Sequence, residues 1–208
     1  MYFTRPPVII RSLFPGLIWR IPNEENRVFL TFDDGPDPEV TPWVLDMLAE
    51  HQAKATFFCL GRNVERYPEL FQRIKDEGHA VGNHSYSHPD GWRTRNMDYF
   101  EDVECADRLI GSRLFRPPYG RITPSQIRVL KKKYNIVMWD VLSGDFDPKT
   151  TPDGYLGRLR KYMKSGSIVV FHDEVKSNDK IQKLLQGVLD DFHNSKCVTE
   201  IIQVDHCK

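Results

Sequence analysis

The sequence has no excess of charge of either sign, no long apolar run and no visible leader. Its 29 Lys and Arg residues balance 29 Asp and Glu residues, so the chain offers no overall field that would attract nucleic acid or an anionic membrane. No stretch is apolar enough to span a bilayer. Residues 1–15 contain neither an apolar core nor a small-residue cleavage site. We therefore expect no nucleic-acid partner, and a cytoplasmic location or a non-classical route of export.

Cysteine is scarce as well. Four cysteines in 208 residues do not make the dense framework of a small disulfide-stabilised domain. Cys59 falls in an apolar strand pattern and Cys105 in a helical one, where a reduced, buried thiol is expected. Cys197 and Cys207 could form a disulfide near the C-terminus, although nothing in their spacing requires it. Cysteine usage therefore does not indicate whether the protein works in an oxidising or a reducing compartment.

Linkers, low-complexity tracts and internal repeats are absent too. The 208 residues are 40% hydrophobic, which is enough for one sizeable core and short for two independent domains. We expect one domain over residues 1–208, with its motifs at about 28–173 and an N-terminal hairpin extension at about 1–27. In that extension, Leu17–Ile21 is predicted to pair with the first strand through the turn Asn23–Asn26.

Short strand-like runs alternate with helical segments along the whole chain. Thr-Pro pairs, in which a capping hydroxyl precedes a proline at the first helical position, predict helix starts at Thr41, Thr123 and Thr151. Such alternation is typical of a parallel sheet covered by helices. We predict a single α/β domain built as a distorted (β/α)7 barrel, with an open parallel sheet as the alternative. The predicted strands are Val28–Phe32, Ala55–Leu60, His79–Gly82, Leu114–Arg116, Ile136–Val141, Ser167–Phe171 and Val198–Val204.

Two adjacent carboxylates, Asp33 and Asp34, follow the first predicted strand. Like charges on neighbouring residues raise each other's pKa unless a cation lies close by. Gly35 and Pro36 end the strand there, so both carboxylates can face the opening beyond it. A metal ion is the simplest positive partner for this pair.

Other polar residues also follow the carboxyl ends of predicted strands, where parallel α/β folds build their active sites. His84 and His88 are four residues apart, a spacing that carries little weight alone. Joined to a carboxylate from another strand, they form a ligand set that leaves coordination positions open on zinc. The remaining rim segments are Arg116–Gly120, Asp140–Asp147 and His172-Asp173.

Four ordered motifs give the sequence a family resemblance. Thr31–Pro36, His84–His88, Arg116–Gly120 and Val169–Asp173 resemble the motifs of the polysaccharide deacetylases, the family of the NodB-homology domain, also called carbohydrate esterase family 4. No single motif would suffice, but the series is in the family's order and covers most of the chain. The resemblance implies the distorted barrel of that family, whose members are often exported.

The resemblance also implies a metal centre and a base. Asp34, His84 and His88 would hold a divalent metal, zinc or an alternative such as cobalt. Asp33 would act as the general base toward the water that the metal activates. Arg116 would pair with Asp33 and keep it ionised.

The remaining implied roles concern the acetyl group and the leaving group. The oxyanion would be bound by the metal and by a backbone N–H near Tyr119. His172 would donate a proton to the leaving group as general acid, with Asp145 orienting and charge-stabilising it. Tyr119, Phe146 and Pro118, on the rim loops, are expected to contact the substrate.

Four further residues have simpler interpretations. Ser85 is expected to cap the turn between the two histidines, and Asp173 to cap the helix after the sixth strand. Trp43 and Trp139 fall in helix and strand patterns, so core positions are expected for both.

The sequence departs from the family in one motif. Leu142 stands where an acidic residue is usual and Phe146 where tryptophan is usual, whereas Asp145 keeps the second acid. The change alters the apolar wall beside the acetyl group. Three hypotheses follow: an N-deacetylase acting on an N-acetylglucosamine-containing carbohydrate of peptidoglycan or chitin type, an O-acetyl esterase of xylan type, and a non-catalytic metal- or sugar-binding relative. The retained base, acid and ligands favour an enzyme.

Overall fold

A parallel β-sheet forms the centre of the structure, a computed structural model that describes residues 4–147, 149, 151–195 and 197–203. The strands are β1 (Arg27–Asp33), β2 (Ala55–Cys59), β3 (Ala80–Asn83), β4 (Leu114–Phe115), β5 (Asn135–Ile136), β6 (Val141–Leu142), β7 (Ile168–His172) and β8 (Val198–Thr199). The helices are α1 (Val8–Leu13), α2 (Thr41–Glu50), α3 (Gly61–Arg66), α4 (Pro68–Asp76), α5 (Asn96–Ile110), α6 (Pro124–Leu130), α7 (Pro152–Tyr162) and α8 (Asn178–Ser195). None of the helices in the described part of the chain has the length and apolarity needed to cross a membrane.

Strand β1 lies in the middle of the sheet. It pairs in parallel with β2 on one side and with β7 on the other, and β8 pairs with its first residues. Its residues Val28–Phe32 are all buried, as expected of a strand that is covered on both faces. The largest apolar cluster packs β1, β2 and β7 against α2 and α8. Most of the sheet's burial is therefore concentrated around the strand that ends in Asp33.

The sheet curls into a distorted barrel. Its strand order is β5-β4-β3-β2-β1-β7-β6, so the two outer strands are consecutive in the chain. Seven flat strands would place the outer two about 29 Å apart, but the chain from Ile136 to Val141 reaches at most about 18 Å. The predicted barrel is confirmed, and a flat open sheet is excluded. The predicted strand Ile136–Val141 is wrong, because these residues cross from one edge of the sheet to the other.

The N-terminal segment lies across this gap and forms no hairpin. Ile18 makes a parallel bridge with Val137, and Arg20 makes an antiparallel bridge with Ser167. The prediction that Leu17–Ile21 pairs with β1 is therefore wrong, since both edges of β1 are already taken by β2 and β7. We call residues 4–21 the N-terminal strap.

A buried carboxylate anchors the strap. Asp140 is fully buried, and its Oδ1 accepts hydrogen bonds from Arg5 Nε and Arg11 Nη1, each at 3.1 Å. Arg20 Nε lies 3.3 Å from Oδ2, which also accepts a hydrogen bond from the Ser167 hydroxyl at 2.8 Å. Asp140, expected on the rim with Asp145, instead holds the strap in place, because three arginines of the strap surround it.

The three predicted helix starts are confirmed, but the predicted capping hydrogen bond forms at one threonine only. Thr123 forms a capping box with Gln126 at the start of α6. Thr151 precedes α7 but its side chain makes no capping hydrogen bond. Thr41 is the first residue of α2, and its hydroxyl instead donates to Asp173 Oδ2 at 2.6 Å. The buried carboxylate takes the hydroxyl that would otherwise have capped the helix.

The C-terminal predictions are only partly covered by the described residues. Strand β8 is two residues long, and Val204 of the predicted strand Val198–Val204 lies outside the described part. The suggested pairing of Cys197 with Cys207 also lies outside it. Cys59 is a buried free thiol, as expected, whereas Cys105 is only half-buried.

Candidate active site

The curled sheet brings the polar residues that follow β1, β3, β4 and β7 to one edge. Asp33 and His172 are the last residues of β1 and β7 and lie opposite each other in the strand register. His84 follows β3 directly, and Arg116 follows β4 directly. The side chains come together because parallel strands all present their carboxyl ends to the same rim.

Asp34, His84 and His88 form a compact group of ligand atoms. Asp34 Oδ1 lies 3.6 Å from His84 Nε2 and 3.2 Å from His88 Nε2, and the three ligand atoms lie within 4.8 Å of one another. The Asp34 oxygen is buried and accepts no hydrogen bond. A divalent cation fits this group, because it would satisfy the carboxylate oxygen and both imidazole nitrogens at once.

Hydrogen bonding sets the ring nitrogen that His84 offers. His84 Nδ1 lies 2.8 Å from the carbonyl oxygen of Arg116. A carbonyl oxygen can only accept, so Nδ1 carries the proton and Nε2 keeps its lone pair toward Asp34. Such a second partner is the usual way in which a metal-binding imidazole is oriented.

Burial disfavours the charged forms of these three groups in the absence of a cation. It raises the pKa of Asp34 to about 7, and it lowers the pKa of His84 and of His88 to about 3 in each case. The charged forms are disfavoured mainly because burial excludes water; the charge of His172 lowers the pKa of Asp34, but by less than burial raises it. Neutral imidazoles are the form that binds metal, so the group is prepared for a positive charge supplied from outside.

The backbone of the site is held in a sparsely populated conformation. Asp34, Ser85, His88 and Tyr119 have φ values of 79°, 70°, 67° and 58°. Only two other non-glycine residues in the described part have such a left-handed φ value. Holding a non-glycine residue in this conformation costs on the order of 1–3 kcal/mol, and residues of this kind cluster at functional sites. The Ser85 hydroxyl accepts a hydrogen bond from the His88 N–H at 3.2 Å, as expected for a cap of this turn.

Asp33 does not belong to the metal group and pairs with Arg116. Arg116 is fully buried, and its Nη1 donates at 2.7 Å both to Asp33 Oδ1 and to Thr31 Oγ1. Its Nε and Nη2 donate to the carbonyl oxygens of Val137 and Met138 at 3.3 and 3.0 Å. Every polar group of the guanidinium is thus engaged, and the carboxylate of Asp33 is fixed in position.

His172 is bound twice by one carboxylate. Asp145 is fully buried; its Oδ1 lies 2.8 Å from His172 Nδ1, and its Oδ2 accepts from the His172 backbone N–H at 2.7 Å. Burial lowers the pKa of His172, but the charge and hydrogen bond of Asp145, with smaller contributions from Asp34 and Asp33, raise it to about 10. The imidazole is therefore a proton donor at neutral pH.

The three expected substrate contacts differ in exposure. The Tyr119 side chain is 59% exposed, and its ring meets the His88 ring edge-on with centroids 4.4 Å apart. Phe146 is half-buried and meets the His172 ring in the same way at 5.0 Å. Pro118, the first residue of a short 3-10 turn, is buried, which does not support its prediction as a ligand contact.

The prediction that Asp173 caps a helix is wrong. Asp173 is fully buried, and burial raises its pKa well above the usual range. Its carboxylate accepts from the Gly35 N–H at 3.2 Å and from the Thr41 hydroxyl. A Cβ atom at Gly35 would lie 2.1 Å from Asp173 Oδ2, so only glycine permits this approach. Asp173 thereby fixes the turn that carries Asp34.

The two tryptophans assigned to the core do pack there. Trp43 is half-buried against the largest apolar cluster, and Trp139 packs against the two smaller ones. Trp139 also lies against the rim loop, since a Cβ atom at Gly120 would lie 2.4 Å from its ring. Leu142, at the altered position of the motif, is buried in β6 opposite Val170, so it contributes to the barrel wall.

The fold and the site are those of an α/β-barrel protein with a candidate metal centre. Comparison with known proteins identifies the family to which it belongs. A family model described as polysaccharide deacetylase matches residues 20–137. A peptidoglycan-N-acetylglucosamine deacetylase of Bacillus cereus is 33% identical over 204 residues, which cover 90% of this chain and 93% of the relative. The chain belongs to the polysaccharide deacetylase family.

A second relative matches over a shorter stretch. It is also a peptidoglycan-N-acetylglucosamine deacetylase of Bacillus cereus and is 42% identical over 132 residues, which cover 60% of this chain. The match spans about half of that relative, 48% of its length. The activity of the longer protein is therefore not carried over to this chain as a whole.

Two solved structures share the fold. A peptidoglycan N-acetylglucosamine deacetylase in complex with 4-naphthalen-1-yl-N-oxidanyl-benzamide superposes with a TM-score of 0.77 at 31% identity, covering 90% of this chain and 91% of that one. A CE4 family pseudoenzyme from Bacillus anthracis gives a TM-score of 0.79 at 26% identity, covering 95% and 71%. Because a pseudoenzyme has the same fold, activity has to be argued from the side chains.

Proposed function

We propose that this protein is a metal-dependent hydrolase that removes N-acetyl groups from an N-acetylglucosamine-containing carbohydrate of peptidoglycan or chitin type. One observation carries the proposal. Asp34 directs an unbonded, buried oxygen at two imidazole nitrogens, while its neighbour Asp33 is bound to Arg116 and separate from them. This division supports a metal-binding carboxylate and a separate base in one site, and relatives named as N-acetylglucosamine deacetylases support the reaction.

The proposed metal, zinc in the first place, would be held by Asp34, His84 and His88. When bound, such an ion lowers the pKa of a coordinated water and polarises a carbonyl group. Two neutral imidazoles and one carboxylate are a ligand set that suits zinc and cobalt.

Asp33 is the proposed general base. Its Oδ1 accepts the short hydrogen bond from Arg116, so Oδ2 is the oxygen that would accept a proton from the attacking water. The position of the carboxylate is fixed by a buried guanidinium whose three nitrogens all donate further hydrogen bonds. This preorganisation matters because a base must lie within hydrogen-bond reach of the proton that it removes.

His172 is the proposed general acid. It lies opposite Asp33 in the register of β1 and β7, so the base and the acid flank the same opening. Asp145 engages Nδ1, which leaves Nε2 to donate a proton to the leaving nitrogen. The raised pKa keeps that proton in place at neutral pH.

Two other functions use the same residues. In an O-acetyl esterase, His172 would protonate an alkoxide in place of an amine, and the names of the relatives favour the amide. A non-catalytic role is motivated by the pseudoenzyme relative. The presence of Asp33, Asp34 and His172 in one site argues for catalysis.

The test is acetate release from N-acetylglucosamine oligomers and from acetylated xylan, with zinc supplied. We expect acetate from the oligomers, and a loss of about 100-fold or more in Asp33→Asn with about one metal ion retained per chain. Release from xylan alone would establish the esterase. No acetate from either carbohydrate, with metal bound, would establish a non-catalytic relative.

A further inference from the structure

Two exposed aromatic rings lie beside the candidate active site, joined by an arginine. Trp92 is 65% exposed and Tyr119 is 59% exposed. The guanidinium carbon of Arg121 lies 5.3 Å from the centroid of the Trp92 ring and 5.5 Å from that of Tyr119. Tyr119 in turn contacts the ring of His88. We call Trp92, Arg121 and Tyr119 the aromatic ridge.

The ridge is held in place by the loops that carry it. Asp90 forms an ion pair with Arg121, and the Trp92 Nε1–H donates to the carbonyl oxygen of Ile122 at 3.4 Å. A Cβ atom at Gly91 would lie 2.3 Å from the carbonyl oxygen of Arg121. The two loops are therefore in direct backbone contact, and the indole cannot swing freely.

The exposure of these rings is unusual within this molecule. Trp92 and Tyr119 are the only large aromatic side chains that are exposed in the described part of the chain. Both lie on the side of the site where Tyr119 meets His88. Apolar surface that is contiguous, exposed and next to a functional site is typical of ligand recognition.

The chemistry of the ridge suits an uncharged sugar. The face of an aromatic ring carries partial negative charge, and the C–H groups on one face of a pyranose carry partial positive charge. Arg121 has five N–H donors, of which one is engaged by Asp90 and others are available for sugar hydroxyl groups. Asp90 pairs with Arg93 as well as with Arg121, so it offsets the charge of Arg121 only in part.

We propose that the aromatic ridge is a second pyranose-binding subsite, which binds a sugar unit neighbouring the one that loses its acetyl group. The inference rests on the proposed action on carbohydrate and goes beyond it by naming where the rest of the chain binds. Trp92 stacks on the sugar, and Arg121 binds its hydroxyl groups. The subsite makes activity depend on oligomer length.

Kinetics with oligomers of different length test this subsite. In Trp92→Ala we expect the KM for the N-acetylglucosamine tetramer to rise about tenfold, with kcat unchanged and the rate on the single sugar unchanged. Trp92→Phe should restore most of the tetramer affinity, since it keeps a stacking ring. Met97→Ala, which removes an even more exposed apolar side chain outside the ridge, should leave KM as in the wild type.

A binding measurement separates this inference from the proposed function. Calorimetric titration of the Asp33→Asn protein with the tetramer should show binding that weakens about tenfold when Trp92→Ala is added. If acetate is never released but this Trp92-dependent binding is present, the proposed reaction fails and the subsite stands. If acetate is released with the same KM for the tetramer in wild type and Trp92→Ala, the subsite is overturned.

Discussion

Asp33 and Asp34 have the same side chain and adjacent positions, yet their surroundings differ completely. Asp33 is the last residue of β1 and directs its carboxylate at the guanidinium of Arg116. Asp34 has left the strand, with a φ of 79°, and faces two imidazoles. In regular strand geometry successive side chains point to opposite faces. The left-handed residue is what brings the second carboxylate back to the same rim.

Asp145 sets the proton affinity of His172, and its removal should be visible in a pH profile. In Asp145→Asn the anion that raises the pKa of His172 is lost, while burial still lowers it, so the pKa falls from about 10. His172 then loses its proton at lower pH, and the basic limb of the rate profile should move to lower pH. Acetate release measured from pH 5 to 11 checks this.

A control isolates the effect of that one carboxylate. Asp153→Asn removes an exposed carboxylate from the first turn of α7 and should leave the profile unchanged. Metal content should stay at the wild-type level in both variants, because neither residue belongs to the proposed ligand group. An Asp145→Asn enzyme with the wild-type basic limb would show that Asp145 does not support His172.

At the residue scale, the sequence predicted those contacts that sequence motifs encode. The convergence of Asp33, Asp34, His84 and His88 follows from their positions just past strands. The role of Asp173 was missed because its partner Gly35 lies 138 residues away, and no local pattern relates the two. Trp92 and Arg121 were missed for the same reason.

At the scale of elements, the strap is the feature that local pattern failed to predict. An apolar run, a polar turn and a second apolar run are typical of a hairpin, and Leu17–Ile21 with β1 has that pattern. Pairing was impossible because β2 and β7 occupy both edges of β1. The decisive residue, Asp140, lies more than a hundred positions away and draws three arginines to it.

Removing the anchor of the strap should destabilise the protein. Asp140→Ala removes the counter-charge that Arg5, Arg11 and Arg20 share, and it leaves a small cavity where the buried carboxylate was. Breaking a buried pair from one side costs about 3–5 kcal/mol; the arginines are partly exposed, so we expect about 2 kcal/mol. Urea unfolding followed by circular dichroism measures the change.

The matched variant is Asp191→Ala, which removes the partly exposed partner of the exposed Arg160 and should cost less than about 1 kcal/mol. Equal losses would contradict an anchoring role.

At the scale of the whole molecule, the fold was predictable because alternation and chain order constrain it strongly. Strands that alternate with helices give a parallel sheet, and the family motifs specified the barrel. The closure of the sheet was harder to predict from the sequence, because it depends on β5 and β6 being joined by only four residues, 137–140. The sequence there looked like one strand, because both halves are apolar.

Metal should stabilise the entire domain, not only the site. Without a cation, Asp34 is buried with an unbonded oxygen, and a ligand that binds only the folded state adds free energy of unfolding. At a zinc concentration about 100 times its Kd, the gain of about 2.7 kcal/mol should raise Tm by about 5–10 °C over the chelator-treated protein. Differential scanning calorimetry measures this shift.

Two histidine variants show whether the shift comes from the proposed ligands. His84→Ala should abolish it. His51→Ala, which alters a histidine that lies 3.3 Å from Asp190 outside the site, should keep it. The same zinc-dependent rise in Tm in His84→Ala would mean that the metal binds elsewhere.

The central position of β1 has a consequence for amide hydrogen exchange. A strand paired on both edges and buried on both faces exchanges its amide protons only when the domain opens as a whole, whereas loops exchange through small local openings. Asp33 ends that slowly exchanging strand, while Trp92 and Tyr119 lie on loops. We therefore expect the backbone amide of Asp33 to exchange more slowly than those of Trp92 and Tyr119.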